Sequence, residues 1–144
     1  MSTRVVEVVP VRIGEPLRLP LLLSRVPAGF PSPADDYIEE ALDLNELLIR
    51  HPAATFFMRV EGDSMVGAGI HSGDLLIVDR AIEPRPGYVV VAAVCGELTV
   101  KRLKLHEGRL CLMPEDGSHE PLPIREELEV VIWGVVTCVI HPLV

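Results

Sequence analysis

Short apolar runs separated by glycines fill the chain from residue 54 onward, and this pattern constrains the fold more than any other feature. The runs are rich in Val, Ile and Leu, and branched apolar residues favour strands, while glycine permits the tight turns between them. Short strands at close spacing are typical of a compact barrel or rolled sheet. The predicted strands are Thr55–Glu61, Leu75–Asp79, Tyr88–Val94, Leu98–Leu105, Arg109–Met113 and Val130–Ile140.

The first 36 residues have a different composition, because six of the 13 prolines lie there, at positions 10, 16, 20, 27, 31 and 33. Proline fixes φ and lacks a backbone N–H donor, so a long helix is excluded from this stretch. We predict an extended N-terminal arm over residues 1–36, with one possible edge strand at Arg4–Ile13. A single domain is then expected over residues 37–144.

One segment, Asp35–Arg50, has apolar residues at a helical period. An aspartate at position 35 or 36 can cap its start, and Asp43 offers an alternative start for a second, shorter helix. The sequence His51-Pro52 ends the segment, since the residue before a proline disfavours helical geometry. The sequence therefore predicts a mostly β chain with one short helical segment.

Charge and hydropathy exclude several classes of protein. The 144 residues include 13 Lys and Arg against 21 Asp and Glu, a net charge of −8. Nucleic-acid readers usually carry a basic patch, so direct sequence-specific DNA binding is not expected, and a DNA-related role would depend on a protein partner. No apolar run approaches the ~18 residues that a membrane-spanning helix needs, so no membrane association is predicted.

The residues that most often hold metals or cofactors form no recognisable pattern here. The three cysteines are odd in number and widely spaced without a CxxC motif, which indicates buried, reduced thiols in a cytosolic protein. The five histidines lack HxxxH or HxH spacing, and no phosphate-binding glycine loop is present. Asp74 and Asp79 are assigned structural roles beside a strand. No metal and no cofactor are therefore expected.

A serine on a glycine turn, in Gly62-Asp63-Ser64-Met65, is a candidate nucleophile. Such a turn can expose the hydroxyl and direct the backbone N–H groups of Ser64 and Met65 toward a developing oxyanion. A serine hydroxyl still needs a base to remove its proton. The alternative interpretation is structural, with Asp63 or Ser64 as an ordinary helix N-cap.

Lys101, in Leu98-Thr99-Val100-Lys101-Arg102-Leu103, is the candidate base. A lysine accepts a proton only when neutral, and its ordinary pKa of about 10.4 must fall by ~3 units for the neutral form to dominate near pH 7. Burial can lower the pKa, because desolvation disfavours the charged form. Strand alternation, however, gives Lys101 mainly polar neighbours on its own face and so favours an exposed lysine.

Taken in order, the motifs resemble the LexA/UmuD family of self-cleaving serine–lysine peptidases, and most closely its UmuD branch. The resemblance runs from about Ala28 to about Val139. Gly29 lies 35 residues before Ser64, and Lys101 lies 37 residues after it. The matching stretches are Gly29–Tyr37, Asp43–Ile49, Gly62–Met65, Gly73–Asp79 and Thr99–Leu103.

The resemblance implies a compact, partly open β-barrel-like peptidase domain that forms a homodimer. It implies Ser64 as the nucleophile, Lys101 as a general base inside the domain, and Ala28–Gly29 as the scissile bond. UmuD itself typically has cysteine before this glycine, whereas LexA-type proteins have alanine, so Ala28 is a departure within the family's range.

The resemblance also implies a cytoplasmic protein of the SOS response. Self-cleavage, stimulated by a recombinase filament on single-stranded DNA, would turn it into the accessory subunit of an error-prone translesion DNA polymerase. The 28 proline-rich residues before the cut do not fit the helix-turn-helix of LexA-type repressors. The alternative is a non-catalytic module for polymerase binding and dimerisation, with vestigial peptidase residues.

Overall fold

The computed structural model describes residues 2–22, 38–118, 120–125 and 129–144, with the backbone alone for residues 18–22 and 38–40. Strands dominate these residues, with one α-helix and two 3-10 turns, Pro52–Ala54 and Val66–Ala68. The elements are β1 (Arg4–Pro10), β2 (Arg18–Leu22), β3 (Ile38–Asp43), α1 (Leu44–Leu48), β4 (Thr55–Glu61), β5 (Leu75–Asp79), β6 (Val89–Val94), β7 (Glu97–His106), β8 (Arg109–Met113), β9 (Leu122–Pro123) and β10 (Val130–Ile140).

Eight strands form one antiparallel sheet in the order β1-β4-β5-β10-β6-β7-β8-β9. The additional pairing of β1 with β7 closes the first six of these strands into a barrel, and β8 and β9 extend the sheet beyond β7. This barrel confirms the prediction of a mostly β fold with a compact barrel-like domain. It forms one compact unit, Met1–Val11 with His51–Val144.

The N-terminal strand β1 closes the barrel. It pairs antiparallel with β4, from Arg4 opposite Glu61 to Pro10 opposite Phe56, and Arg4 also lies opposite Thr99 of β7. The prediction of a strand near Arg4–Ile13 is confirmed with a shorter span, but its assignment as an edge strand is wrong, because β1 pairs with both β4 and β7. Its consequence for the site is direct, because β4 leads into the Ser64 turn and β7 carries Lys101.

Two apolar clusters fill the barrel unit, one on each face of β6. Val91 packs in the first cluster, whereas Val90 and Ala92 pack in the second. Both faces of β6 are therefore buried, and the burial of this many branched side chains is the main favourable term for folding. The first cluster contains Met58, Val60, Met65, Ile70, Leu76, Val78, Val91 and Val100.

The second compact unit, Arg12–Arg50, contains the antiparallel pair β2–β3 followed by α1. The predicted helix over Asp35–Arg50 is wrong for residues 38–43, which form β3. The alternative start is confirmed, because Asp43 is the N-cap of α1 and its carboxylate accepts the N–H of Asn45 at 3.0 Å. The cleavage-site pair Ala28 and Gly29 lies outside the described residues.

The cysteine prediction is correct for one thiol and wrong for another. Cys111 on β8 is buried, whereas Cys95 lies exposed in the turn between β6 and β7 with a positive φ of 50°. Both residues of this two-residue turn, Cys95 and Gly96, are exposed. Among the described residues, no helix is both long enough and apolar enough to cross a membrane.

Candidate active site

The turn that carries Ser64 is shaped by the glycine before it. Gly62 has φ of +111°, a conformation that residues with a Cβ rarely adopt. A Cβ at this position would lie 2.5 Å from the carbonyl oxygen of Ser2, so the N-terminal chain also passes too closely for a side chain. Beyond the serine, Met65 is fully buried in the first apolar cluster and anchors the turn.

Backbone hydrogen bonds fix the same turn to the loop after β8. The N–H of Glu115 donates to the carbonyl oxygen of Ser64 at 2.7 Å, and the N–H of Gly67 donates to the carbonyl oxygen of Glu115 at 2.7 Å. Ser64 is 4% exposed. The position of Ser64 is therefore fixed by contacts with a residue that is distant in sequence, Glu115, which the short motif around Ser64 does not predict.

The hydroxyl of Ser64 is hydrogen-bonded to the N-terminal segment. Ser64 Oγ accepts the backbone N–H of Thr3 at 2.7 Å and donates to Thr3 Oγ1 at 3.0 Å. The following 3-10 turn has Met65 as its N-cap and no side-chain capping bond. The alternative interpretation of Asp63 or Ser64 as a helix cap is therefore wrong, and the Ser64 hydroxyl lies in a cleft.

Lys101 lies on β7 at the same cleft, and its Nζ donates to Ser2 Oγ at 3.2 Å. Partial burial lowers the pKa of Lys101 below that of an ordinary lysine, while the nearby carboxylate of Asp116 acts in the opposite direction. Desolvation thus favours the neutral amine, the form that a general base requires.

The alternation argument for an exposed Lys101 is wrong, since both faces of β7 are covered at this point. Val100 is fully buried on one face, and Thr99 and Leu103 are buried on the other. The carbonyl oxygen of Thr3 accepts both the Val100 N–H at 3.0 Å and the Thr99 hydroxyl at 2.9 Å. The Val100 bond joins the N-terminal chain to the edge of β7, and the side-chain bonds of Thr99 to Thr3 and of Lys101 to Ser2 place it against the face that alternation predicts to be solvent-exposed.

Ser64 and Lys101 line a single cleft of about 380 Å³. Within the described part of the chain they make no direct hydrogen bond, because Thr3 is bonded to the serine and Ser2 to the lysine. A buried hydroxyl and an amine of lowered pKa in one cavity suit nucleophilic acyl transfer with an amine base. The remaining lining residues are Val94, Glu97, Thr99, Leu112, Pro114, Asp116, Ser118, Glu120 and Leu122.

Several residues at this site are not predicted from the sequence. Ser2 and Thr3 precede the first strand and carry no motif, and Glu115 and Asp116 read as an ordinary polar loop. Their proximity to Ser64 comes from the β1–β4 pairing and from the loop after β8, both long-range contacts. The predicted oxyanion donors, the N–H groups of Ser64 and Met65, belong to the turn that these residues hold in place.

Comparison with known proteins shows which family the chain belongs to. The sequence model of the family described as Peptidase S24-like matches residues 20–137, which is more than half of the chain. The chain belongs to the Peptidase S24-like family. This membership confirms the resemblance to the LexA/UmuD peptidases, and the matched range includes both Ser64 and Lys101.

Three relatives extend the match over most of their own length. Protein SamA of Salmonella typhimurium is 55% identical over 122 residues, which is 85% of this chain and 84% of SamA. Protein ImpA of Escherichia coli is 52% identical over 122 residues, or 85% and 83% of the two chains. Protein MucA of Escherichia coli is 47% identical over 128 residues, 87% of each chain. This S24-like chain is thus similar to these proteins in nearly its whole extent.

Proposed function

We propose that this chain is an SOS mutagenesis protein that is switched on when it cuts its own Ala28–Gly29 bond. Ser64 is the nucleophile and Lys101 the general base. The observation that carries the proposal is the shared cleft, in which a buried serine hydroxyl and a lysine of lowered pKa lie together. Membership of the Peptidase S24-like family supports the same reaction class.

The proposed reaction is an acyl transfer followed by hydrolysis. Neutral Lys101 takes the proton of Ser64 Oγ as the oxygen attacks the carbonyl carbon of Ala28, and the N–H groups of Ser64 and Met65 bind the oxyanion. The C–N bond then breaks, and the lysine returns the proton to the amine of Gly29. Water hydrolyses the resulting acyl-serine and regenerates the free hydroxyl.

Cleavage in this scheme requires the N-terminal residues to leave the cleft. Ser2 and Thr3 bond to the two side chains that the reaction uses, so the closed arrangement is a resting state in which the serine makes no hydrogen bond to its base. In the proposed regulation, a recombinase filament on single-stranded DNA favours the state in which the Ala28–Gly29 segment replaces them. A binding partner can shift such an equilibrium only by differential affinity for the two states.

The cut protein is proposed to act as a homodimeric accessory subunit of a translesion DNA polymerase. The net charge of −8 supports action through protein partners rather than direct DNA reading. The alternative function is a non-catalytic polymerase-binding and dimerisation module. The absence of a direct bond between Ser64 Oγ and Lys101 Nζ in the described residues favours this second candidate.

Incubation of the purified chain separates the two candidates. The protein is held at several pH values between about 7 and 10, with and without a recombinase filament, and its intact mass is followed over time. The proposal expects a fragment that begins at Gly29, formed faster at high pH and in the presence of the filament. No fragment under any of these conditions would support the non-catalytic module instead.

A further inference from the structure

Two histidines flank a buried carboxylate at the start of β5, outside the cleft. The side chain of Asp74 is 2% exposed, whereas the rings of His71 and His141 are about half exposed. Asp74 Oδ1 lies 2.5 Å from His141 Nδ1, and Asp74 Oδ2 lies 3.7 Å from His71 Nδ1. The two imidazole rings lie side by side, with centroids 4.6 Å apart and planes tilted by 36°.

We propose that His71, Asp74 and His141 bind one divalent transition-metal ion, with Zn²⁺ as the reference case. One ligand atom from each residue lies within 4.8 Å of the other two. Zinc bonds of about 2.0–2.2 Å place ligand atoms at most ~4 Å apart, so the approach needed is small. Imidazole nitrogen and carboxylate oxygen are established zinc donors, and three protein ligands leave a fourth position for water.

The carboxylate is the fixed member of the group. Asp74 Oδ2 accepts the backbone N–H of His71 at 2.7 Å, and the Asp74 N–H donates to the His71 carbonyl oxygen at 3.0 Å. The Asp74 carbonyl oxygen also accepts the N–H of Val60 on β4 at 3.1 Å. Because the two rings reach solvent, they can rotate to meet a metal held by this anchored oxygen.

Strand pairing brings the ligands together from distant parts of the sequence. His71 and His141 are 70 residues apart, and the antiparallel pairing of β5 with β10 places Ile140 opposite Leu75. A local search for closely spaced histidines therefore misses the group. A bound ion would join the turn before β5 to the end of β10.

The same turn supports the approach to the Ser64 turn. Ser72 Oγ accepts the N–H of Gly62 at 3.2 Å, and the N–H of Gly73 donates to the carbonyl oxygen of Val60 at 2.7 Å. A metal at His71 and Asp74 would thus stabilise the end of β4. This role does not depend on whether Ser64 is catalytic, so the metal site and the proposed function can fail separately.

The other end of β5 supplies a matched control. Asp79 is also buried and pairs with a half-exposed histidine, His51, at 2.6 Å between Oδ2 and Nδ1. The described residues place no second histidine in this pair's group, so it resembles the proposed site with one ligand removed. The variant His51→Ala should therefore leave metal binding unchanged.

Metal titration of the full-length chain tests the proposal. Zn²⁺ is titrated by calorimetry and Co²⁺ by visible absorption into the wild type and into His71→Ala, His141→Ala, Asp74→Asn and His51→Ala. We expect one ion per wild-type chain and an affinity at least about tenfold weaker when any of the three ligands is changed, the scale on which even second-shell changes act. The His51→Ala protein should bind like the wild type.

Circular dichroism establishes that each variant is folded before its affinity is compared. Zn²⁺ should also raise the Tm of the wild type, but not that of a His71→Ala/His141→Ala double variant, because a ligand stabilises only the state that binds it. Wild-type affinity equal to that of the folded double variant would overturn the proposal. An equal loss of affinity in His51→Ala would overturn it as well, since binding would then not be local to this group.

Discussion

The two sides of the cleft differ in how the backbone of each reactive residue is held. On one side, Ser64 is 4% exposed, and its backbone is bonded to that of Glu115 in the loop after β8. On the other side, Lys101 is half-buried, and its Nζ bonds to Ser2, a residue that precedes the first strand. The backbone of the nucleophile is fixed by the loop after β8, whereas the side-chain partners of Ser64 and Lys101, Thr3 and Ser2, both belong to the N-terminal segment.

This difference indicates where control of the proposed reaction lies. A change in the N-terminal segment leaves the backbone bonds of Ser64 intact but replaces the side-chain hydrogen-bond partners of both Ser64 and Lys101. The pKa of Lys101 is set first by burial, and any segment that fills the cleft will alter that burial. Substitutions on the nucleophile side should therefore act on the rate alone, and those on the lysine side on both rate and pH dependence.

The largest effect is expected for Ser64→Ala. This change should abolish formation of the fragment that begins at Gly29, with a loss of up to about 10⁶-fold, the order that follows removal of a peptidase's serine. High pH should not restore it, because an alanine side chain has no hydroxyl to deprotonate. Intact-mass measurement over several days checks the result, and cleavage at the wild-type rate would remove Ser64 from the mechanism.

A smaller loss is expected for Lys101→Ala, by about 10²–10⁴-fold, the usual contribution of a general base. Wild-type cleavage should rise with pH as the amine becomes neutral and level off above the pKa of Lys101. That plateau should begin at lower pH than an ordinary lysine would give, because burial lowers this pKa. The variant should lack the plateau and rise only with hydroxide.

Lys104→Ala is the matched control, since Lys104 lies on the same strand and its side chain is about half exposed. Its cleavage rate and pH profile should equal those of the wild type. A profile for Lys101→Ala that kept the wild-type plateau would show that another group is the base.

A gain of activity is expected for Thr3→Val. The change removes the hydroxyl that accepts the hydrogen bond of Ser64 Oγ, and loss of one such bond weakens the closed state by about 1 kcal/mol. The open state should then be about fivefold more populated, and cleavage about fivefold faster. Thr137→Val, which removes a hydroxyl bonded to Ile77 outside the cleft, should leave the rate unchanged.

If Thr3→Val cleaved no faster than Thr137→Val, the N-terminal segment would not restrain the reaction. Time courses at a single pH near 8 are enough for this comparison. Both time courses start from the uncut full-length chain, so that the two cleavage rates can be compared directly.

The smallest effect is expected for Asp116→Asn. The Asp116 carboxylate raises the pKa of Lys101, so its removal should lower that pKa further and shift the pH profile of cleavage toward lower pH. The rate should rise slightly near pH 7 and stay unchanged on the plateau. Glu97→Gln, at another carboxylate that lines the cleft, is the control. Equal profiles for the two variants would contradict a specific effect of Asp116.

Much of the barrel is predictable from the sequence, because glycine turns separate most of its strands. β4, β5, β8 and β10 have the predicted limits to the residue. The helix over Asp35–Arg50 fails because apolar spacing cannot separate a helix from a strand that gains a pairing partner elsewhere. Residues 38–43 pair with β2, and only the part after the Asp43 cap is helical.

The candidate site is predictable only in part, and Lys101 shows why. The order of the motifs predicts that Ser64 and Lys101 act as a pair. Strand alternation predicts the wrong environment for the lysine, because the alternation argument assumes that one face of the strand is exposed to solvent. The cover comes from Thr3, which is 98 residues away in sequence and bonds to both Val100 and Thr99. No local pattern encodes such a contact.

The position of β1 in the chain gives the proposed cut an unusual outcome. β1 closes the barrel through seven residues and pairs with β4 along its length, yet it lies before Ala28–Gly29. Hydrolysis of that bond would produce a nicked protein whose two fragments remain associated through the main-chain hydrogen bonds between β1 and β4. Denaturing electrophoresis would detect the two fragments as soon as the bond is cut. Gel filtration would detect a smaller protein only after β1 has dissociated from β4. The rate at which β1 dissociates from β4, rather than the rate of the chemistry at Ser64, would then determine when the shortened product appears.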